Sequence, residues 1–246
     1  MPAGDLDRVR LLLSTPLFRD APAVELEPLA RAGSVRRPVR GEHVFESGDQ
    51  ADAIYVVASG QLKDAIYGED GTEVVHSLWE PGMVLGEVSF LARLPRVMSL
   101  VALEPSVLLV LPREAVMSFL AAQPAVVMKL LEHVASTSRW QTQMIASLAR
   151  RPLADRVLLR LLDLAESNGS IDRDTAVAPH VSQSTLAAMV GASRENVNRA
   201  LAGLMAAGTV RADGGRYTIP DPDEVRRSII DGWPLLPRPD GPAAGP

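Results

Sequence analysis

The chain has 246 residues, 47% of them hydrophobic, no cysteine and a formal net charge of −5. This is a globular composition with room for two ordinary domains. It excludes disulfides, thiol sensing, cysteine-ligated iron–sulfur clusters and cysteine-type zinc sites. No run of eighteen apolar residues and no signal-peptide pattern at the start is present, which predicts a soluble cytoplasmic protein with no membrane partner.

Residues 5–31 carry a helical pattern on Leu11, Leu12, Leu13, Leu26 and Leu29, interrupted by Pro16 and Pro22. From Ser34 to Pro112 the pattern changes to short β runs. They are His43–Phe45, Ala53–Ser59, Gln61–Tyr67, Glu73–Leu78, Met98–Leu103 and Ser106–Leu111, with Gly48, Gly60, Gly71, Gly82 and Gly86 between them. Many short strands with regular turn signals indicate a β-barrel or jelly roll, and Asp70-Gly71 predicts a tight hairpin turn. A helix starts at Arg113, pauses near Pro124 and runs on to about Leu148. Val127, Leu131, Val134, Ser138, Gln141, Ile145 and Leu148 follow a 4-3-4-3-4-3 spacing. That is the seam of a parallel two-helix coiled coil and predicts a homodimer. Arg150-Arg151-Pro152 breaks the helix, and a new one is expected from Pro152 to Glu166. Asn168 to Pro179 is a polar connection with a strand near Ala176–Pro179.

Val181 to Gly208 reads as two short helices joined by a tight turn. Thr185 to Val190 forms the first, Gly191-Ala192 turns, and Ser193 caps the second. On that second helix, counting from Arg194, Glu195, Asn198 and Arg199 fall at about 100°, 40° and 140°. Val197, Ala200, Leu201 and Leu204 occupy about 240–340°, so one face packs and the other presents two guanidinium forks, a carboxylate and an amide. Arginine pairs bidentately with guanine, and glutamate accepts from cytosine, in the DNA major groove. A solvated face with a Glu195–Arg199 pair is the plainer alternative. Val210–Arg211 and Arg216–Ile219, around Asp213-Gly214-Gly215, predict a small hairpin. The Pro/Gly/Ala-rich last residues predict disorder. Residues 1–149 carry 13 Lys+Arg against 18 Asp+Glu, whereas residues 150–246 carry 12 of each. The acid surplus therefore lies away from this face, and phosphate neutralisation is a local matter.

The string Gly191-Ala-Ser-Arg-Glu-Asn-Val-Asn-Arg199 resembles the recognition motif G-x-S-R-E-x-V-x-R of the CRP/FNR family of bacterial transcription regulators. The resemblance implies that Arg194, Glu195 and Arg199 read a GTGA-like half-site. Ser193 and Asn198 lie on the same surface, and Ser182 and Gln183 stand where the first motif helix meets phosphate. It also implies double-stranded DNA and RNA polymerase as partners.

The strings ESGDQADAIYVVASGQL, EDGTEVVHSLWEPG and LGEVSFLARLPR resemble the cyclic-nucleotide-binding domain. That resemblance implies cyclic AMP or another nucleotide as effector. Gly86, Glu87 and Arg96 match the family's sugar- and phosphate-binding positions, and by position Gln141 and Thr142 would reach the base. Val97 stands where nucleotide binders carry Ser or Thr, and Met98 replaces a small residue. Losing a hydroxyl bond to phosphate weakens binding by about 1.5–3 kcal/mol, which predicts weak cyclic AMP binding or none. The alternative is an effector-independent regulator in which Glu87 and Arg96 form a salt bridge inside an inherited pocket. No nucleophile–base pair or metal cluster points to an enzyme, and His43, His76, His133 and His180 share no metal-ligand spacing.

The expected architecture is α+β. Residues 1–112 form N-terminal helices and a cyclic-nucleotide-binding-type β-roll, and residues 113–150 form the long coiled-coil dimer helix and hinge. Residues 151–232 form a winged helix-turn-helix, and residues 233–246 a disordered tail.

Overall fold

A computed structural model of the chain describes residues 6–167, 171–172 and 174–230. The chain divides into two compact units, Met1–Thr72 with His76–Val134, and Glu73–Val75 with Ala135–Pro246.

In the first unit Asp7 accepts from the Arg10 amide to open α1 (Arg8–Leu13), and α2 (Ala23–Ala32) starts directly after Pro22. The roll is built from β1 (Ser34–Arg36), β2 (His43–Phe45), β3 (Ala53–Ser59), β4 (Leu62–Tyr67), β5 (Glu73–Trp79), β6 (Val84–Leu85), β7 (Ser99–Ala102) and β8 (Val107–Pro112). One four-stranded sheet has the order β1-β8-β3-β6 and the other β2-β7-β4-β5. The helix α3 (Glu87–Ala92) lies between β6 and β7 in the chain. β1 and β6 lie outside the predicted runs. They are three and two residues long, too short for alternation to register, and they owe their form to pairing with β8 and β3.

Alternation along β3 divides the apolar interior in two. Ile54 and Val56 join Leu12, Leu26, Leu29, Leu109 and Phe119, whereas Tyr55 and Val57 join Val44, Leu62, Leu100 and Leu108. β3 is thus buried on both faces, and each fully buried aliphatic side chain contributes about 1.5–3 kcal/mol. The β4–β5 connection is a longer loop than the tight turn expected at Asp70-Gly71. The Gly68 amide donates to the Thr72 carbonyl at 2.8 Å, and the Asp70 carboxylate accepts from the Thr72 amide and hydroxyl at 3.0 and 2.7 Å. Those two bonds, the hydroxyl first, hold the Asp70 carboxyl below the usual carboxylate value.

α4 (Arg113–Ala122) is followed by α5 (Pro124–Arg150). One side of α5 buries Val126, Leu130 and Trp140, while the heptad residues Leu131, Ile145 and Leu148 are 54%, 68% and 49% exposed. The helix therefore has an apolar stripe beyond the one its own chain covers.

The second unit continues with α6 (Leu153–Ser167), β9 (Ile171–Asp172), β10 (Thr175–Ala178), α7 (Gln183–Val190), α8 (Arg194–Ala206), β11 (Arg211–Asp213), β12 (Arg216–Ile219) and α9 (Pro222–Ile230). Its sheet has the order β11-β12-β10-β9, and α6 packs against β10, α7, α8 and α9. α7 starts two residues before the predicted Thr185 because Ser182 caps it. β10 starts one residue before the predicted strand, and α9 was outside the prediction. Within α6, Arg160 is 2% exposed. It donates to the Asp163 carboxylate, and its guanidinium carbon lies 5.0 Å from the Trp140 ring centroid. The predicted disordered tail, residues 233–246, lies outside the described residues. No single helix among the described residues is long and apolar enough to cross a membrane.

Candidate nucleic-acid interface and effector pocket

Local chemistry sets the helix-turn-helix. The Ser182 hydroxyl accepts from the Thr185 amide at 3.0 Å to open α7. Gly191 closes α7 at φ +62°, a left-handed conformation that glycine adopts without strain. The Ser193 hydroxyl then accepts from the Asn196 amide at 3.2 Å to open α8. Val197 and Leu201 are buried, and Arg194, Glu195, Asn198 and Arg199 are exposed, so the packing and presenting faces fall where the 100° periodicity puts them. The Glu195–Arg199 pair does form, at 3.7 Å with both side chains largely exposed. Arg199 also donates to the Asn196 side-chain carbonyl at 2.5 Å. Exposed pairs of this kind contribute little stability, but two partners on one guanidinium fix its direction.

The wing is the β11–β12 hairpin, turned by Gly214 and Gly215 at φ +55° and +87°. Arg211 and Arg216 flank it and are exposed. A cleft of about 420 Å³ runs between the start of α7, α8 and the hairpin, with Ser182, Gln183, Ser184, Arg194, Met205 and Gly215 among its lining. Ser193 is exposed beside Arg194, and Gln183 is half-buried. All seven predicted DNA-facing residues therefore belong to the consecutive helices α7 and α8 or their caps. The added cations are Arg211 and Arg216. Their signal was legible as two arginines bracketing the Asp-Gly-Gly turn.

The predicted effector residues Gly86, Glu87 and Arg96 gather around the N-terminus of α3. Arg96 is 4% exposed. It donates to the Gly86 carbonyl at 2.6 Å and the Ala53 carbonyl at 2.5 Å, with its guanidinium carbon 4.4 Å from the Phe45 ring centroid. Burial pushes its pKa below the ordinary arginine value, and Tyr55 and Glu87 oppose that shift. Gly86 is required by this seat: its φ is +87°, and a Cβ there would lie 2.8 Å from Arg96 Nη1. Glu87, 5% exposed, meets His133 Nε2 of α5 at 3.0 Å. The salt bridge that the alternative reading places between Glu87 and Arg96 is therefore not the arrangement here: Arg96 bonds the Gly86 and Ala53 carbonyls, and Glu87 bonds His133. Val97 is 62% exposed, and only its carbonyl is engaged, accepting from the Ser47 hydroxyl at 3.0 Å. Gln141 and Thr142 are exposed on α5, the Thr142 hydroxyl donating to the Ser138 carbonyl at 3.0 Å. Protein atoms engage Arg96 through Nη1 and Nη2 and Glu87 through Oε1, while Arg96 Nε is buried without a hydrogen-bond partner among the described residues.

Comparison with known proteins agrees with both halves. Residues 35–123 match the model of the cyclic nucleotide-binding domain, and residues 155–228 match the Crp-like helix-turn-helix domain. The CRP-like cAMP-activated global transcriptional regulator of Mycobacterium tuberculosis is 31% identical over 208 residues, covering 82% of this chain and 93% of that protein. The chain belongs to the CRP/FNR family. The cyclic AMP receptor protein of Thermus thermophilus is 30% identical over 207 residues, covering 83% of this chain and 92% of the other. Among solved structures, FixK2 from Bradyrhizobium japonicum superposes with a TM-score of 0.69 at 18% identity, over 79% of this chain and 96% of that one. The Thermus thermophilus catabolite activator protein superposes with a TM-score of 0.51 at 27% identity, over 90% and 100%. This CRP/FNR protein is thus a DNA-binding transcription regulator, and its domains are those of regulators, not enzymes.

Two further residues of this CRP/FNR regulator escaped the sequence reading. Asn196 was legible in principle, being three positions before Arg199 on one helix. His133 was not, because its partner Glu87 is 46 residues away.

Proposed function

We propose that the chain acts as a homodimer whose paired α8 helices read an inverted repeat of GTGA-like half-sites in successive major grooves, about 34–36 Å apart. The observation that carries this reading is the exposed Arg194/Glu195/Arg199 face on a helix capped at Ser193. The exposed Leu131, Ile145 and Leu148 stripe on α5 supports the dimer, since a coiled-coil seam leaves such residues bare in a single chain. Ser182, Gln183, Arg211 and Arg216 then meet the phosphate backbone, which positions the protein without reading sequence. RNA polymerase is the partner through which a bound dimer would act on transcription.

The effector reading follows from the pocket. The mycobacterial relative is named as cAMP-activated, which makes cyclic AMP the first ligand to test. With Glu87 on His133, Arg96 on two main-chain carbonyls and no hydroxyl at Val97, operator binding by this chain depends little on cyclic AMP. In-vitro selection from random DNA, with and without cyclic AMP, tests both statements. The expected product is a palindrome with GTG/CAC arms, recovered equally under both conditions. Selection that returns no palindrome removes the DNA reading, and recovery only with cyclic AMP removes the effector reading.

A further inference from the structure

A side chain of the long helix α5 joins it to α3 of the roll. α3 is fixed at both ends by arginines, Arg96 buried and Arg113 half-buried. Arg96 binds the Gly86 carbonyl at its start. Near its end, Arg113 donates to the Phe90 carbonyl at 2.6 Å and the Ala51 carbonyl at 2.7 Å, stacked 4.0 Å over the Phe90 ring. Glu87 on this fixed helix takes a hydrogen bond from His133 at 3.0 Å, with both side chains at most 13% exposed. A carboxylate has acceptor sites only, so Nε2 carries the proton of this bond. Lys129, one helical turn earlier on α5, pairs with Asp20 of the α1–α2 connection. The part of α5 that belongs to the first unit, up to Val134, is therefore held there by two polar ties as well as by Val126 and Leu130.

We infer that His133 is a built-in replacement for an effector: its imidazole takes Oε1 of the Glu87 carboxylate, and it positions α5 for operator binding without a nucleotide. The inference rests on the DNA-binding reading above. The chemistry is reciprocal. A ligand hydroxyl that takes the same oxygen of Glu87 must displace a buried hydrogen bond, and leaving a buried polar group unsatisfied is costly. A ligand that leaves the carboxylate and α5 in the same relation has no differential affinity with which to shift the protein between states. His133 is thus a positioning residue for DNA binding.

The experiment uses full-length protein and the operator obtained by selection, with affinity read by fluorescence anisotropy, dimerisation by light scattering and folding by thermal unfolding. His133→Ala and Glu87→Ala are each expected to weaken operator binding without nucleotide by about tenfold, within the 5–150-fold span of typical coupling. The double variant should lose no more than either single one, because both remove the same bond. His133→Gln, which keeps an N–H donor, should stay within about twofold of wild type, inside the error of independent effects. Wild-type affinity should not change with saturating cyclic AMP. Wild-type-like operator binding by both alanine variants, or additive losses in the double variant, overturns the inference. So does a tenfold gain of the wild type with cyclic AMP. If His133→Ala fails to fold, the His133→Gln and cyclic AMP measurements decide alone. A wild-type protein that binds no inverted repeat refutes the DNA reading instead, which keeps the two failures apart.

Discussion

Gly86→Ala measures how firmly Arg96 is held. Two separable penalties act at this position. A φ of +87° costs a residue with a Cβ about 1–2 kcal/mol. The new Cβ would also sit 2.8 Å from Arg96 Nη1. The end of a long side chain usually yields at little cost, but this one is bonded to the Gly86 and Ala53 carbonyls and packed on Phe45. Yielding means surrendering a hydrogen bond from a charged donor, about 1.5–3 kcal/mol. The sum is about 2.5–5 kcal/mol. Gly71→Ala supplies the control, because Gly71 has a φ of +80° and nothing within 4 Å of its would-be Cβ. It should cost only the backbone part, about 1–2 kcal/mol. Urea denaturation of both variants, each against wild type, gives the difference directly. If the two substitutions cost the same to within about 0.5 kcal/mol, the ordinary spread for independent sites, Arg96 moves freely. It could then turn toward a phosphate, and the account of the pocket given above would be wrong.

On the DNA side, Arg194→Ala or Arg199→Ala should cost about 1–3 kcal/mol per half-site and relax base preference at one position. Asn196→Ala should weaken binding less, without changing the preferred base; a changed preference in repeat selection would make Asn196 a reader instead of a support for Arg199. Leu131→Asp or Ile145→Asp should convert a micromolar dimer to monomer in light scattering and abolish tight operator binding, because two half-sites must be engaged together; an unchanged mass would mean the exposed stripe is not the seam. Arg160→Ala leaves the buried Asp163 carboxylate without its cation and should destabilise the protein by about 3–5 kcal/mol in denaturant; a loss under about 1 kcal/mol would show that Asp163 finds water or another donor.

Much of this protein is determined by neighbours in the chain and could be read from the sequence. Ser182 and Ser193 cap helices because a hydroxyl reaches an amide three residues on, and Gly191 turns because glycine tolerates positive φ. The faces of α8 follow from helical periodicity, and the exposed Leu131, Ile145 and Leu148 follow the same rule on α5. The strands between glycines were legible from their alternation and turn residues. β1 and β6 were not, since two or three residues form a strand only when a distant strand offers its main chain. Tertiary structure also decided the pocket. Sequence places Glu87 and Arg96 at ligand-binding positions, yet whether they face a ligand depends on competitors far along the chain. The competitors are the Ala53 carbonyl, 43 residues from Arg96, and His133, 46 residues from Glu87. A buried donor or acceptor takes whichever partner folding brings within 3 Å, and no local pattern records which one that is.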